Sequence, residues 1–206
     1  MMNQVSTSMV IMIITIVVSL AALNNENLYH QFILNPRKAI YKKQIWRFIT
    51  SGFIHGGIAH LGFNMFTFFF FARSVEYTLL SVHGINSSLI FLIFYLSAII
   101  VSDLPIAWKN RNNPHYNSLG ASGGVSAIIA ISILFSPTDS IYLFAFINIP
   151  GFIYGAVFLI YSYYQSKNSI DNVNHEAHIY GFLYGLLIGL VIYPGSGDRF
   201  LNKIFG

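Results

Sequence analysis

The string Gly120-Ala121-Ser122-Gly123-Gly124 sets one hydroxyl among four residues small enough to let another backbone, or a substrate, come close. A serine at a helix start is ordinarily an N-cap, and that reading stays open. A helix start also offers free N–H groups that can hold an oxyanion, which makes Ser122 a candidate nucleophile. Further along, Ala177-His178 is followed by Gly181, Gly185 and Gly189, which fall three, seven and eleven residues after His178 on one helical face. His178 thus caps a smooth groove. The partner best suited to it is the small-residue segment carrying Ser122, Gly123, Ala127 and Ala130, and that packing would bring a general base to the hydroxyl. A plain packing stripe ending in an interfacial histidine is the alternative.

His60 and Asn64 are four apart and share a helical face. An imidazole N–H and a carboxamide NH₂ could stabilise the negative oxygen of a tetrahedral intermediate, or could simply bond neighbouring helices together. His55, five residues before His60, cannot join that face in an unbroken helix. It is expected in the preceding loop, holding backbone.

The elements that must position these residues follow from composition. Of 206 residues 55% are hydrophobic and 9% charged, too few polar groups to cover a water-soluble domain. Apolar runs near 5–23, 58–72, 88–104, 120–135, 141–164 and 177–193 predict six membrane-spanning helices in one domain over 1–206, without an internal linker or repeat. The first run could be a signal peptide, but Met1 to Met9 holds no Lys or Arg, so a retained helix is expected. The fourth run would make only about 24 Å of helix against a hydrocarbon core of about 30 Å, which sinks its first residues below the membrane surface. Counting crossings puts the starts of spans two, four and six on one face, and with them His55, His60, Asn64, Ser122, His175 and His178.

Cysteine is absent, which excludes disulfides, thiolate metal sites and a cysteine nucleophile. The net charge of +4 derives largely from Arg37, Lys38, Lys42, Lys43 and Arg47, a cluster suited to lipid headgroups rather than nucleic acid. Loops on the shared face carry eight of the eleven basic residues, so the positive-inside rule would make that face cytoplasmic. His175-Glu176-Ala177-His178 is one residue short of the His-Glu-x-x-His zinc signature, so a metalloprotease is a near miss. A transporter or channel lacks a visible inverted repeat, and an adaptor would need no nucleophile and base.

Taken together the segments resemble the rhomboid family of intramembrane serine proteases. The family marks are His-x4-His-x3-Asn in helix two, Gly-x-Ser-Gly opening helix four and Ala-His-x2-Gly-x3-Gly in helix six. They stand here as His55, His60 and Asn64, as Gly120-Ala121-Ser122-Gly123, and as Ala177-His178 with Gly181 and Gly185; Trp46-Arg47 matches the family's first-loop pair. One departure is Ser126, where the family often carries a tyrosine against the catalytic histidine. The resemblance implies an all-α, six-helix, multi-pass protein of the cell membrane with its active site toward the extracytoplasmic side, against the basic count. It implies a Ser122–His178 dyad and an oxyanion held by the Ser122 N–H, His60 and Asn64. The substrates would be transmembrane proteins, with no metal, cofactor or nucleic acid required.

Overall fold

The computed structural model describes residues 6–143, 147–168 and 173–206. Helix α1 (Thr7–Leu23) opens behind Ser6, whose hydroxyl accepts the Met9 N–H at 3.3 Å. Residues 24–57, between the first two apolar runs, fold into α2 (Glu26–Phe32), α3 (Pro36–Tyr41), α4 (Arg47–Thr50) and a 3₁₀ turn at Ser51–Phe53. Asn25 and Asn35 cap the first two, and Pro36 presets the first turn of α3. Arg47 gathers this region: its Nη1 donates to the carbonyls of His30 (2.8 Å) and Ile33 (2.7 Å), and its Nε to Gln44 (2.7 Å). The guanidinium is buried, and desolvation pulls its pKa below the usual value.

The long helices are α5 (Ile58–His83), α6 (Ser87–Asn110), α7 (Ser122–Phe135), α8 (Gly151–Asn168) and α9 (His175–Ile192), followed by a short α10 (Ser196–Phe205). Helix α7 is the axis of the bundle. Nearly all of it is buried, with α5, α6 and α9 packed around it, α1 against α5 and α8 against α9. Its glycines and alanines let neighbouring backbones approach on some sides, while Val125, Ile128, Ile129 and Ile131 fill the rest of its buried surface. Lipid provides no hydrophobic drive between helices, so close van der Waals approach has to hold them together. Outward faces are apolar: Phe63, Phe66 and Phe70 on α5, Val157 and Ile160 on α8, and Leu183, Leu187 and Val191 on α9 are all exposed. Such a surface suits lipid rather than water.

By length and composition, Ile58–Asn110 (the stretch of α5 and α6) and His175–Ile192 are long and apolar enough to cross a membrane, while Thr7–Leu23 and Ser122–Phe135 are apolar but shorter. Two sequence expectations are corrected. Gly120 does not belong to the fourth helix, which starts at Ser122; Gly120 sits in the preceding turn with φ +113°, a left-handed conformation that helices cannot include. The fifth helix starts at Gly151, because β1 (Ser140–Leu143) and β2 (Ile147–Pro150) form an antiparallel hairpin pairing Ser140 with Pro150 and Ile141 with Ile149. A short, largely apolar run reads alike as buried helix or strand; here the β-branched Ile141, Ile147 and Ile149 favour the strand, and Pro150 keeps Ile149 out of the helical region. Of the expected spans, residue 5 of the first and 144–146 of the fifth lie outside the described residues.

Candidate active site

The turn before Ser122 is pinned from three sides. Leu34 and Ser118 exchange backbone hydrogen bonds (3.0 and 2.9 Å), the Gly120 N–H donates to the Ser51 carbonyl (2.9 Å), and the Ala121 N–H donates to His55 Nε2 (3.3 Å). Because Nε2 accepts, the proton of His55 resides on Nδ1 and points to Ser19 Oγ at 3.2 Å. His55 lies before α5 and is wholly buried; desolvation, with His60 nearby, pulls its pKa down to about 3, so the imidazole is neutral at physiological pH. It links α1 to the Ser122 turn. His60, in the first turn of α5, packs edge-on against it with ring centroids 5.0 Å apart.

Gly120 is required here twice over. Its φ is positive, and a Cβ would lie 2.9 Å from His60 Cε1. Ser122 itself is half-buried and is the first residue of α7; the N-cap position belongs to Ala121, and no side chain caps the helix. The hydroxyl of Ser122 is therefore not the helix cap. The opening of α7 presents N–H groups and a positive dipole end instead. Asn64 is buried one turn beyond His60 and spends one N–H on the His60 carbonyl at 3.0 Å.

Helix α9 opens behind Asn174, whose Oδ1 accepts the Ala177 N–H at 3.2 Å. It runs alongside α7 in parallel register. A Cβ on Gly181 would lie 2.9 Å from the carbonyl carbon of Gly123, one on Gly185 would lie 2.8 Å from Ala127 Cα, and one on Gly189 would lie 2.9 Å from Ile131. On the other side of α7, a Cβ on Gly123 would lie 2.7 Å from Ser102 Cβ. Backbone thus meets backbone at the two helix starts, Ser122 directly precedes Gly123, and half-buried His178 stands between Ala177 and Gly181.

His178 stacks on Phe158 of α8 (6.0 Å, 26°) and meets His175 edge-on (5.3 Å, 81°). Phe158 continues the stack onto Phe182 (5.8 Å). The aromatic support of His178 comes from α8, while Ser126 turns back onto its own helix and donates to the Ser122 carbonyl at 2.7 Å. Sequence reasoning missed Phe158, since one phenylalanine among 19 carries no signal of its own. Glu176 is engaged by Lys109 at 2.9 Å. Among the described residues, no three His, Asp or Glu side chains gather as a metal ion would need.

These elements have counterparts in known proteins. The rhomboid domain profile matches residues 42–195. Three Arabidopsis thaliana proteins are similar: rhomboid-like protein 15 at 26% identity over 96% of this chain and 50% of its own length, rhomboid-like protein 4 at 29% over 77% and 37%, and mitochondrial rhomboid-like protein 12 at 28% over 65% and 42%. The chain spans half or less of the length of these relatives. With a matching domain that runs through most of its length and an apolar all-α bundle, this membrane protein belongs to the rhomboid family.

Proposed function

We propose that this chain is an intramembrane serine endopeptidase, a single rhomboid domain of six membrane crossings that cleaves transmembrane segments with Ser122 and His178. What carries the reading is the backbone contact of Gly123 with Gly181, which draws the starts of α7 and α9 together with one nucleophile and one base at that level. Ser122 Oγ attacks the scissile carbonyl carbon as His178 takes its proton. The tetrahedral intermediate collapses when His178 returns that proton to the leaving amine. Water, deprotonated by the same imidazole, then releases the acyl group and regenerates the hydroxyl. The negative oxygen is held by the Ser122 N–H with His60 and the remaining Asn64 N–H. Phe158 and His175 restrict the His178 ring, and Glu176, two residues before it, is held by Lys109. A serine-directed fluorophosphonate tests this: it should label the wild type but neither Ser122→Ala nor His178→Ala, with EDTA having no effect. Strong inhibition by EDTA would favour the metalloprotease reading.

Asn64→Ala should lower turnover by about 10²–10³, the usual worth of one oxyanion donor, while leaving Ser122 present and accessible. Cleavage per folded molecule that equals wild type would return Asn64 to a purely helix-bonding role. Substrates are other transmembrane proteins that unwind locally within the bilayer, since a helical peptide bond is shielded from attack.

The active site opens toward the extracytoplasmic side of the cell membrane, by family resemblance and against the basic count. The ends of α8 and α9 provide the test, because Asn168 lies at the end of α8 nearest the start of α9, and Asn202 lies beyond the other end of α9. With no native cysteine in the background, Asn168→Cys should react with an impermeant thiol reagent on intact cells, and Asn202→Cys only after the cells are opened. The reversed pattern would move the site to the cytoplasmic side.

A further inference from the structure

The segments that deliver the two dyad residues are tied to each other by side chains the proposed chemistry does not use. Ser118 stands four residues before Ser122, and Asn174 four residues before His178. Asn174 Nδ2 donates to Ser118 Oγ at 3.2 Å, and Ser118 Oγ donates to Asp103 Oδ1 at 3.3 Å. Asp103 is on α6, and Asp103 and Ser118 are both buried. The direction at Asn174 is set by chemistry: the amide nitrogen only donates, so Ser118 Oγ accepts there and keeps its own proton for Asp103. At its far end Asn174 Oδ1 holds the Ala177 N–H, beside His178. Ser118 in turn is paired through its backbone with Leu34.

We infer that Asp103, Ser118 and Asn174 form a positioning relay that sets the start of α9, and so the His178 imidazole, against the turn carrying Ser122. The inference rests on the protease reading and deepens it. Glycine contacts fix how closely α7 and α9 approach, but a smooth backbone groove leaves sliding and rotation along it weakly determined. A directional hydrogen-bond chain at the catalytic end supplies the missing constraint. A second tie between α6 and the start of α9, Lys109 with Glu176, joins a lysine side chain 67% exposed to solvent and is screened accordingly. The Asp103–Ser118 end of the relay is buried away from water and Asn174 is half-buried, so losing one member leaves a buried neighbour unsatisfied.

The test is a set of detergent-solubilised variants of the full chain, compared by fluorophosphonate labelling rate and by kcat and KM on a transmembrane substrate, each per folded molecule. Ser118→Ala removes one oxygen from the relay. Asn174→Ser still caps α9 but is too short to reach Ser118. Each should lower kcat and labelling rate by roughly 10- to 100-fold with KM unchanged, since a misplacement of about 1 Å in a reacting group can cost 10²-fold. Ser118→Thr keeps the hydroxyl and should restore most of the rate, and the double variant should be no slower than either single one, because both break the same chain. Ser118→Ala and Asn174→Ser that label at the wild-type rate, or that raise KM with kcat unchanged, would overturn the relay while leaving the protease reading intact. A wild type that neither labels nor cleaves would overturn both.

Discussion

Replacement of Ser122 by alanine is expected to lower cleavage of a transmembrane substrate by roughly 10⁶-fold, and replacement of His178 to do the same, with the double variant no worse than either. The reason is mechanistic coupling. Without His178 the hydroxyl keeps its proton and is a poor nucleophile; without Ser122 the imidazole has nothing to activate except water. Both variants should stay folded. Ser122 is the first residue of α7 and not its cap, and half-buried His178 packs on Phe158 without belonging to the apolar core. Cleavage assays beside thermal unfolding in detergent separate the two properties. Cleavage by either variant at the wild-type rate removes the dyad, whatever the stability.

The second large effect is on stability. Gly185→Val should unfold or severely destabilise the bundle, because its Cβ would lie 2.8 Å from Ala127 Cα and closer still to the Ala127 carbonyl oxygen. Backbone atoms of a buried central helix cannot step aside as a flexible side chain would, so α7 and α9 must separate. Overpacking of a core ordinarily costs about 1–3 kcal/mol. Here the upper end or beyond applies, and about 3 kcal/mol lowers the unfolding midpoint by roughly 6–12 °C in a chain of this size. Gly62→Ala is the matched control. Apart from its own stretch of helix, nothing lies within 4 Å of that Cβ, so the substitution should leave the midpoint unchanged or raise it slightly through better helix propensity. Equal midpoints for the wild type and Gly185→Val would mean that the close contact does not hold the bundle together.

What residue order and spacing determine by themselves is local and periodic. Four-residue spacing puts Gly181, Gly185 and Gly189 on one face of a helix wherever that helix lies, and it sets His60 one turn from Asn64. Composition likewise announces apolar helices, because a chain with 9% charged residues has too little polar surface to face water. The partner of the glycine stripe could be named for the same reason: few segments are small enough to meet it, and the one around Gly123 and Ala127 is. Tertiary structure alone decided the rest. Hydropathy averages over direction, so it could not separate the β1–β2 hairpin from the helix that follows. Gly120 left the helix because the turn needs a positive φ and room for His60, a conflict visible only once α5 lies beside it. Phe158 took up the ring support that Ser126 does not give, and Asp103, Ser118 and Asn174 met across 71 positions of chain. Contacts of that kind leave no period in a sequence, because each depends on where other helices end.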